Sequence, residues 1–286
     1  MTEPEPDQAG VPLVEALIDP DQPNAHDKGS KKRKRDAEGK SQPEEKKSKT
    51  RRKLKKPKDV DDSMLDVDRG VNLAIAHMDP QLMAEHVAQR TRRFEPDLTM
   101  VEAEERILPA AAIVDTADFT APRLKENLPS FLEQFATSRR GKGGGKLSDA
   151  SKDKGSPHTL VVCGAGLRAA DLTRALRPFQ TKDALVAKLF AKHIKLKEAI
   201  ETVSTSRIGI GVGTPQRIMD LVDQGALKST SLERIVVDAS HIDQKKRGML
   251  DMKETQIPLV KLLLTKQLRE RYGSEANSKR VQLLFF

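Results

Sequence analysis

The sequence runs to 286 residues with 37% hydrophobic and 33% charged residues and a formal net charge of +9, enough for one medium domain or two small ones. No run approaches the ~18 consecutive apolar residues of a membrane-spanning helix. The start, Met1-Thr2-Glu3-Pro4-Glu5-Pro6-Asp7, is acidic and lacks the apolar segment of a secretory signal. A single cysteine, Cys163, excludes an intramolecular disulfide framework and a cysteine-clustered zinc site, and a reducing compartment, cytosol or nucleus, fits it best. With no Trp and one Tyr, the chain is poorly equipped for base-stacking platforms.

The charge is segregated. Residues 1–27 hold seven acids and no Lys or Arg, residues 28–58 carry a net +12, and the remaining 228 residues share a net +4. Residues 1–68 read as a disordered tail, because apolar residues there are too sparse to offset the entropy of ordering. Its basic block has two clusters, Lys31-Lys32-Arg33-Lys34-Arg35 and the stretch from Lys46 to Lys58 that includes Arg51, Arg52, Lys53, Lys55 and Lys56. Such clusters serve as nuclear import signals or as non-specific RNA contacts. The plain alternative is a solvating tail.

Order is expected near Val71. Asp79 followed by Pro80 is a helix N-cap with proline at the first helical position, and Leu82, Met83, His86 and Val87 then share one face. A second helix is expected over 98–108 and a third over 128–137. Together they make a helical extension, 69–137, separate from the segment that begins at 158. Residues 138–157, rich in Gly, Ser and Lys, read as a flexible loop.

From 158 to 286 short apolar runs alternate with helical periodicity. Strands are expected at 160–163, 185–190, 208–212, 235–237 and 281–286. Helices are expected at 169–179, 195–203, 215–224 and, as one long element, 255–271. The strands are apolar on both faces, which predicts a parallel sheet covered by helices, an α/β fold of the doubly wound kind.

Two glycine motifs look like phosphate loops. Gly164-Ala165-Gly166-Leu167-Arg168-Ala169 matches the dinucleotide fingerprint, but no acid ends the next strand, and Asp183 precedes it. A small-residue turn between strand and helix explains it. Gly141 to Lys146 is one residue short of a P-loop, has Leu147 after its lysine and lacks a preceding strand. His193 and His241 have no second ligand four residues away and read as ordinary histidines.

The informative stretch is 207–243. Gly213-Thr214-Pro215 ends a strand and opens a helix, so backbone N–H groups and the Thr214 hydroxyl face the carboxyl end of the sheet, with Gln216 and Arg217 in the first turn. That arrangement suits a nucleic-acid phosphate. The order of segments resembles the first RecA-like domain of DEAD-box RNA helicases. Gly213 to Arg217 is similar to their Ala-Thr-Pro-Gly-Arg motif, Val236-Val237-Asp238-Ala239-Ser240-His241 to their Val-Leu-Asp-Glu-Ala-Asp, and 281–286 to the strand before their Ser-Ala-Thr. Of the acids, only Asp238 is kept; Ala239 and His241 replace the others, and no lysine loop is present. ATP hydrolysis in that family draws on all of these, so the resemblance implies a degenerate domain, no catalytic residue, no metal and no cofactor.

A closer resemblance is to the Cms-one family, nucleolar helicase-like proteins of the U-three snoRNA-containing 90S pre-ribosome. It rests on the basic tail, residues 187–198, the Gly213 to Arg217 segment and the strand ending at Phe286. It implies a non-enzymatic role in small-subunit ribosome assembly, in the nucleus and nucleolus, with pre-ribosomal proteins and pre-rRNA or snoRNA as partners and neither membrane nor small-molecule substrate. Thr214, Gln216 and Arg217 are the expected phosphate contacts, and the tail clusters the source of non-specific affinity. Two alternatives stay open: an ATP-dependent RNA helicase, and a nucleotide-binding module built on Gly164 to Ala169.

Overall fold

Secondary structure begins at Asp62 in the computed structural model, which describes residues 62–136, 146–272 and 280–286. The two basic clusters of the tail lie outside the described residues, as does the glycine-lysine segment up to residue 145. A short hairpin comes first, β1 (Leu65–Asp66) and β2 (Val71–Asn72), with Leu65 opposite Asn72. Order therefore starts ahead of Val71, inside a stretch that reads as tail. Its anchors are remote in sequence: Val71 bridges to His241, and the Asn72 N–H donates to the Ser240 carbonyl at 2.7 Å. Local composition carries no trace of such a contact.

Helix α1 (Pro80–Phe94) begins where Asp79 Oδ1 accepts from the Leu82 N–H at 2.8 Å. It buries Met83, Ala84, Val87 and Ala88. Helix α2 (Met100–Glu105) opens with a capping box, Thr99 Oγ1 accepting from the Glu102 N–H and Glu102 Oε2 from the Thr99 N–H. It is shorter than the expected 98–108. Pro109 disfavours the helical conformation for Leu108, and the chain runs on extended, so that Ile113 pairs with Leu283. Helix α3 (Leu128–Ala136) comes next.

The rest alternates as expected: β3 (Thr159–Val162), α4 (Gly166–Ala175), β4 (Leu185–Leu189), α5 (Leu196–Thr205), β5 (Ile208–Gly213), α6 (Pro215–Asp223), β6 (Arg234–Val237), α7 (Lys253–Leu263), α8 (Lys266–Arg269) and β7 (Gln282–Phe285). The expected long helix 255–271 is two elements. Leu264 and Thr265 leave helical geometry, and the Tyr272 hydroxyl donates to the carbonyl of Leu263 at the break. All five strands of the main sheet are parallel, in the order β4-β5-β3-β6-β7. Glycine at 213 is required by close approach: a Cβ there would run into the carbonyl of Leu189 on β4.

The sheet separates two apolar layers. Leu160, Val162, Ile235, Val237, Leu283 and Phe285 point to the side of α1, α5, α6 and α7. Val161, Cys163, Val236, Leu284 and Phe286 point to the side of α3 and α4. Burial on both faces explains why the strands carry no polar alternation. The α/β architecture expected from the sequence is thus observed.

The helical extension is not set apart from the sheet. Gln256 on α7, fully buried, donates to Thr91 Oγ1 of α1 at 2.7 Å, and Arg90 meets Asp251 at 3.1 Å. Phe131 on α3 stacks edge-on against Phe286 at 4.9 Å. All described residues belong to one compact unit. Nor is 146–157 a loose loop: Leu147 and Ser156 are buried, and the Arg207 guanidinium donates to the carbonyls of Ala150 and Ser151 at 3.1 and 3.0 Å. Its serines are used as well: Ser156 Oγ meets Thr230 Oγ1 at 2.9 Å, and Ser151 Oγ accepts from the Ser231 hydroxyl at 3.0 Å.

Candidate functional site at the carboxyl ends of the strands

In a doubly wound sheet the strand ends at which connections diverge form the usual ligand crevice. Here those ends carry Cys163 to Gly166 after β3, Thr214 after β5, and Asp238 to His241 after β6. Asp238 is 2% exposed. Both its oxygens are taken by Arg168 from the first turn of α4, Nε to Oδ2 at 2.9 Å and Nη2 to Oδ1 at 2.8 Å. This two-pronged geometry is the strong form of a carboxylate–guanidinium contact. Burial works against the Arg168 charge, but the hydrogen bonds and charge of Asp238 outweigh it and raise its pKa. Sequence reasoning does not single out Arg168. Its place in the first turn after a glycine turn is the available signal, but only the fold brings it to a residue 70 positions away.

The neighbours of Asp238 are structural. The N–H groups of Ala239 and Ser240 donate to the Phe286 carbonyl at 2.9 and 2.8 Å, and Ser240 is wholly buried. His241 bridges to Val71 through the backbone. Burial, then the adjacent Arg168, hold its imidazole below the ordinary pKa. Beside them lies an open cleft of about 480 Å³ lined by Arg69, Leu124, Lys125, Leu167, Asp171 and His241 among others. Its charges are largely paired within the protein: Lys125 lies 3.8 Å from Asp171, and Arg69 lies 3.7 Å from Asp66.

These residues do not fit a magnesium nucleotide. The carboxylate that would hold the ion is saturated by a guanidinium, Ala239 offers no acid, and Gly164 faces Met249, whose Cβ would lie 3.1 Å from an added Cβ. The fingerprint glycines therefore sit in a turn packed by the protein itself. Cys163 is buried, and burial, then the charge of Asp238, push its thiol well above the ordinary range, the opposite of what a nucleophile needs.

Thr214, Gln216 and Arg217 are brought together in the first turn of α6, with different fates. The Thr214 N–H is used by the Leu189 carbonyl at 3.2 Å. Gln216 is exposed, its amide donating to Asp220 at 2.9 Å. Arg217 is 8% exposed and donates to the main-chain carbonyl of Ile194 at 3.1 Å. Its guanidinium ties α6 to the loop after β4.

A family model described as CMS1, U3-containing 90S pre-ribosomal complex subunit, matches residues 18–286. The chain belongs to the CMS1 family. Protein CMS1 of Chaetomium thermophilum is 52% identical over 243 residues, spanning 85% of this chain and 94% of that protein. The human Protein CMSS1 is 34% identical over 164 residues, 57% of this chain and 55% of that protein, so the aligned part spans about half of this more distant CMS1-family relative. Among solved structures, the yeast DEAD-box splicing factor Prp28 superimposes with a TM-score of 0.38 and 16% identity, over 75% of this chain and 44% of that one.

Proposed function

We propose that this chain is a non-enzymatic assembly factor of the 90S pre-ribosome, acting in small-subunit rRNA maturation in the nucleolus. Its helicase-like domain serves as a docking body for pre-ribosomal proteins and pre-rRNA or snoRNA. Membership of the CMS1 family supports the particle. The single observation that carries the non-enzymatic part is the Arg168–Asp238 pair, since a protein cation occupies the carboxylate that metal-assisted phosphoryl transfer would use. Losing one such group typically removes several kcal/mol of transition-state stabilisation, and the lysine loop and second acid are missing from the sequence as well. Thr214 and Gln216 are accessible to a phosphate. Arg217 supports them from within, and the tail clusters Lys31 to Arg35 and Arg51 to Lys56 add salt-sensitive, sequence-independent affinity.

The test is sedimentation of the endogenous protein from nuclear extract with and without RNase, with fractions probed for snoRNA and pre-rRNA. Co-migration with a large RNase-sensitive particle is expected; migration as a free monomer overturns the assignment. RNA-stimulated ATP hydrolysis abolished by Asp238→Ala would replace it with the helicase reading.

A further inference from the structure

The edge of the sheet at β4 carries an unbalanced charge. Between Asp183 and Glu198 there is no acidic residue, and Lys188, Lys192, Lys195 and Lys197 are all exposed. No ion pair joins any of the four to an acid of the described residues. Lys188 lies on the edge strand itself, where a lone lysine has a simple explanation as a guard against strand-to-strand aggregation. The other three lie beyond the strand, in the loop and the first turn of α5, and that explanation does not reach them.

The loop that presents them is fixed. His193 adopts a left-handed conformation (φ 60), Ile194 N–H donates to the Ala191 carbonyl at 3.2 Å, and Arg217 holds the Ile194 carbonyl from α6. Lys192 packs its Cβ beside Gly166 at the start of α4, 3.3 Å from where a Cβ on that glycine would lie. Four unpaired cations within ten residues, Lys188 on the edge strand and three on the braced loop and the start of α5, fit a polyanion.

The aromatic inventory narrows the kind of polyanion recognition. All eight phenylalanines and the one tyrosine are described, and none is exposed. Bases therefore find no exposed Phe or Tyr ring to stack on among the described residues. We infer that the Lys188–Lys192–Lys195–Lys197 ridge is an RNA-backbone contact surface indifferent to base sequence, with Arg217 as the residue that positions its loop rather than a phosphate ligand. This rests on the RNA-docking part of the proposed function.

The experiment uses the full chain, with all four ridge lysines changed to Gln, and measures binding of labelled oligouridylate and oligoadenylate of equal length across a salt series. Each lost phosphate contact on a single strand makes the slope of log affinity against log salt shallower by about 0.7, so four make it shallower by about 3. The native protein is expected to bind both oligomers within about threefold, as backbone-dominated binding requires. Changing the same lysines to Arg keeps the slope, and changing Lys152, Lys154, Lys245 and Lys246 to Gln shifts it far less.

An unchanged slope in the ridge variant, with affinity lost instead when Lys31 to Arg35 are neutralised, overturns the ridge and leaves RNA docking standing. Equal loss in the ridge variant and the Lys152, Lys154, Lys245, Lys246 control overturns it in favour of net charge. A preference above about tenfold for one oligomer overturns indifference to sequence. Failure of the native protein to bind either oligomer overturns ridge and RNA docking together.

Discussion

Asp238 and Arg168 depend on one another, and the cost of separating them is the sharpest expectation at the residue scale. Arg168→Ala leaves a carboxylate 2% exposed without its cation. Removing one partner of a buried pair typically costs about 3–5 kcal/mol, read as a fall in urea midpoint at unchanged slope. Arg168→Lys recovers little of it, because an ammonium cannot make both contacts at once. An Arg168→Ala variant as stable as the native protein sinks this account. A second expectation concerns protons. Burial, then Arg90, lower the pKa of His86, and burial, then Arg168, lower that of His241, both from the ordinary 6.5; Asp251 acts against the shift at His86, and Asp238, the Gly70 backbone and Asp243 act against it at His241. The unfolded chain then binds more protons than the folded one as pH falls. Their contribution to stability is therefore fully present above about pH 6.5 and is lost as pH drops towards the lowered folded values. The urea midpoint should be lower at pH 5.5 than at 7.5, and less so with both histidines changed to Gln. Equal midpoints would refute it. The sequence shows that Asp238 is the surviving acid of its motif. It cannot show that the acid is already answered, since Arg168 reaches it only through the packing of α4 on the sheet.

At the scale of elements, beginnings are more legible than ends. Asp79 with Pro80, and Pro215 after the glycine turn, mark helix starts by chemistry confined to three or four residues. The end of α2 reflects Pro109, a local signal that the expected bounds ran past, whereas the break after α7 is set where the Tyr272 hydroxyl returns to the Leu263 carbonyl. The hairpin β1–β2 escapes a sequence reading for the same reason: its partner is His241. The docking of the extension is also invisible there, because Gln256 and Thr91 are polar residues that look solvent-facing until they meet. That docking can be tested in two ways. Phe131→Ala opens the cluster of Phe119, Phe131, Phe135 and Phe286 and should cost about 3–5 kcal/mol; thermal unfolding near the native midpoint would show the cluster to be dispensable. A fragment of residues 146–286 strips α1 and α3 from opposite faces of the sheet and should lack cooperative unfolding by circular dichroism. A sharp transition in that fragment would restore the extension to the status of a separate domain.

Over the whole molecule, fold class is the most legible property, because strands apolar on both faces leave few architectures open. Charge is legible too, but only as a sum per segment: the net +4 of residues 59–286 hides the lysine run at β4. Deleting residues 1–56 removes all but one of the basic residues of the +12 segment and should change the unfolding free energy by no more than about 0.5 kcal/mol, as the sparsely apolar composition of that segment implies. The same deletion should weaken RNA binding and flatten its salt dependence. Equal slopes for the two proteins would show that the tail contributes nothing to binding.

Strand β7 lies between β6 on one side and Ile113 on the other, and the carbonyl of Phe285 receives Arg123. A late segment of the chain is therefore the seam that joins an early one to the sheet, across about 170 residues of sequence. During synthesis the apolar faces of β3 to β6 leave the ribosome well before that seam can close. Contacts of such separation slow folding, and exposed strand surface in the interval favours aggregation. Until β7 has emerged and paired, the nascent chain carries that surface uncovered and is exposed to aggregation.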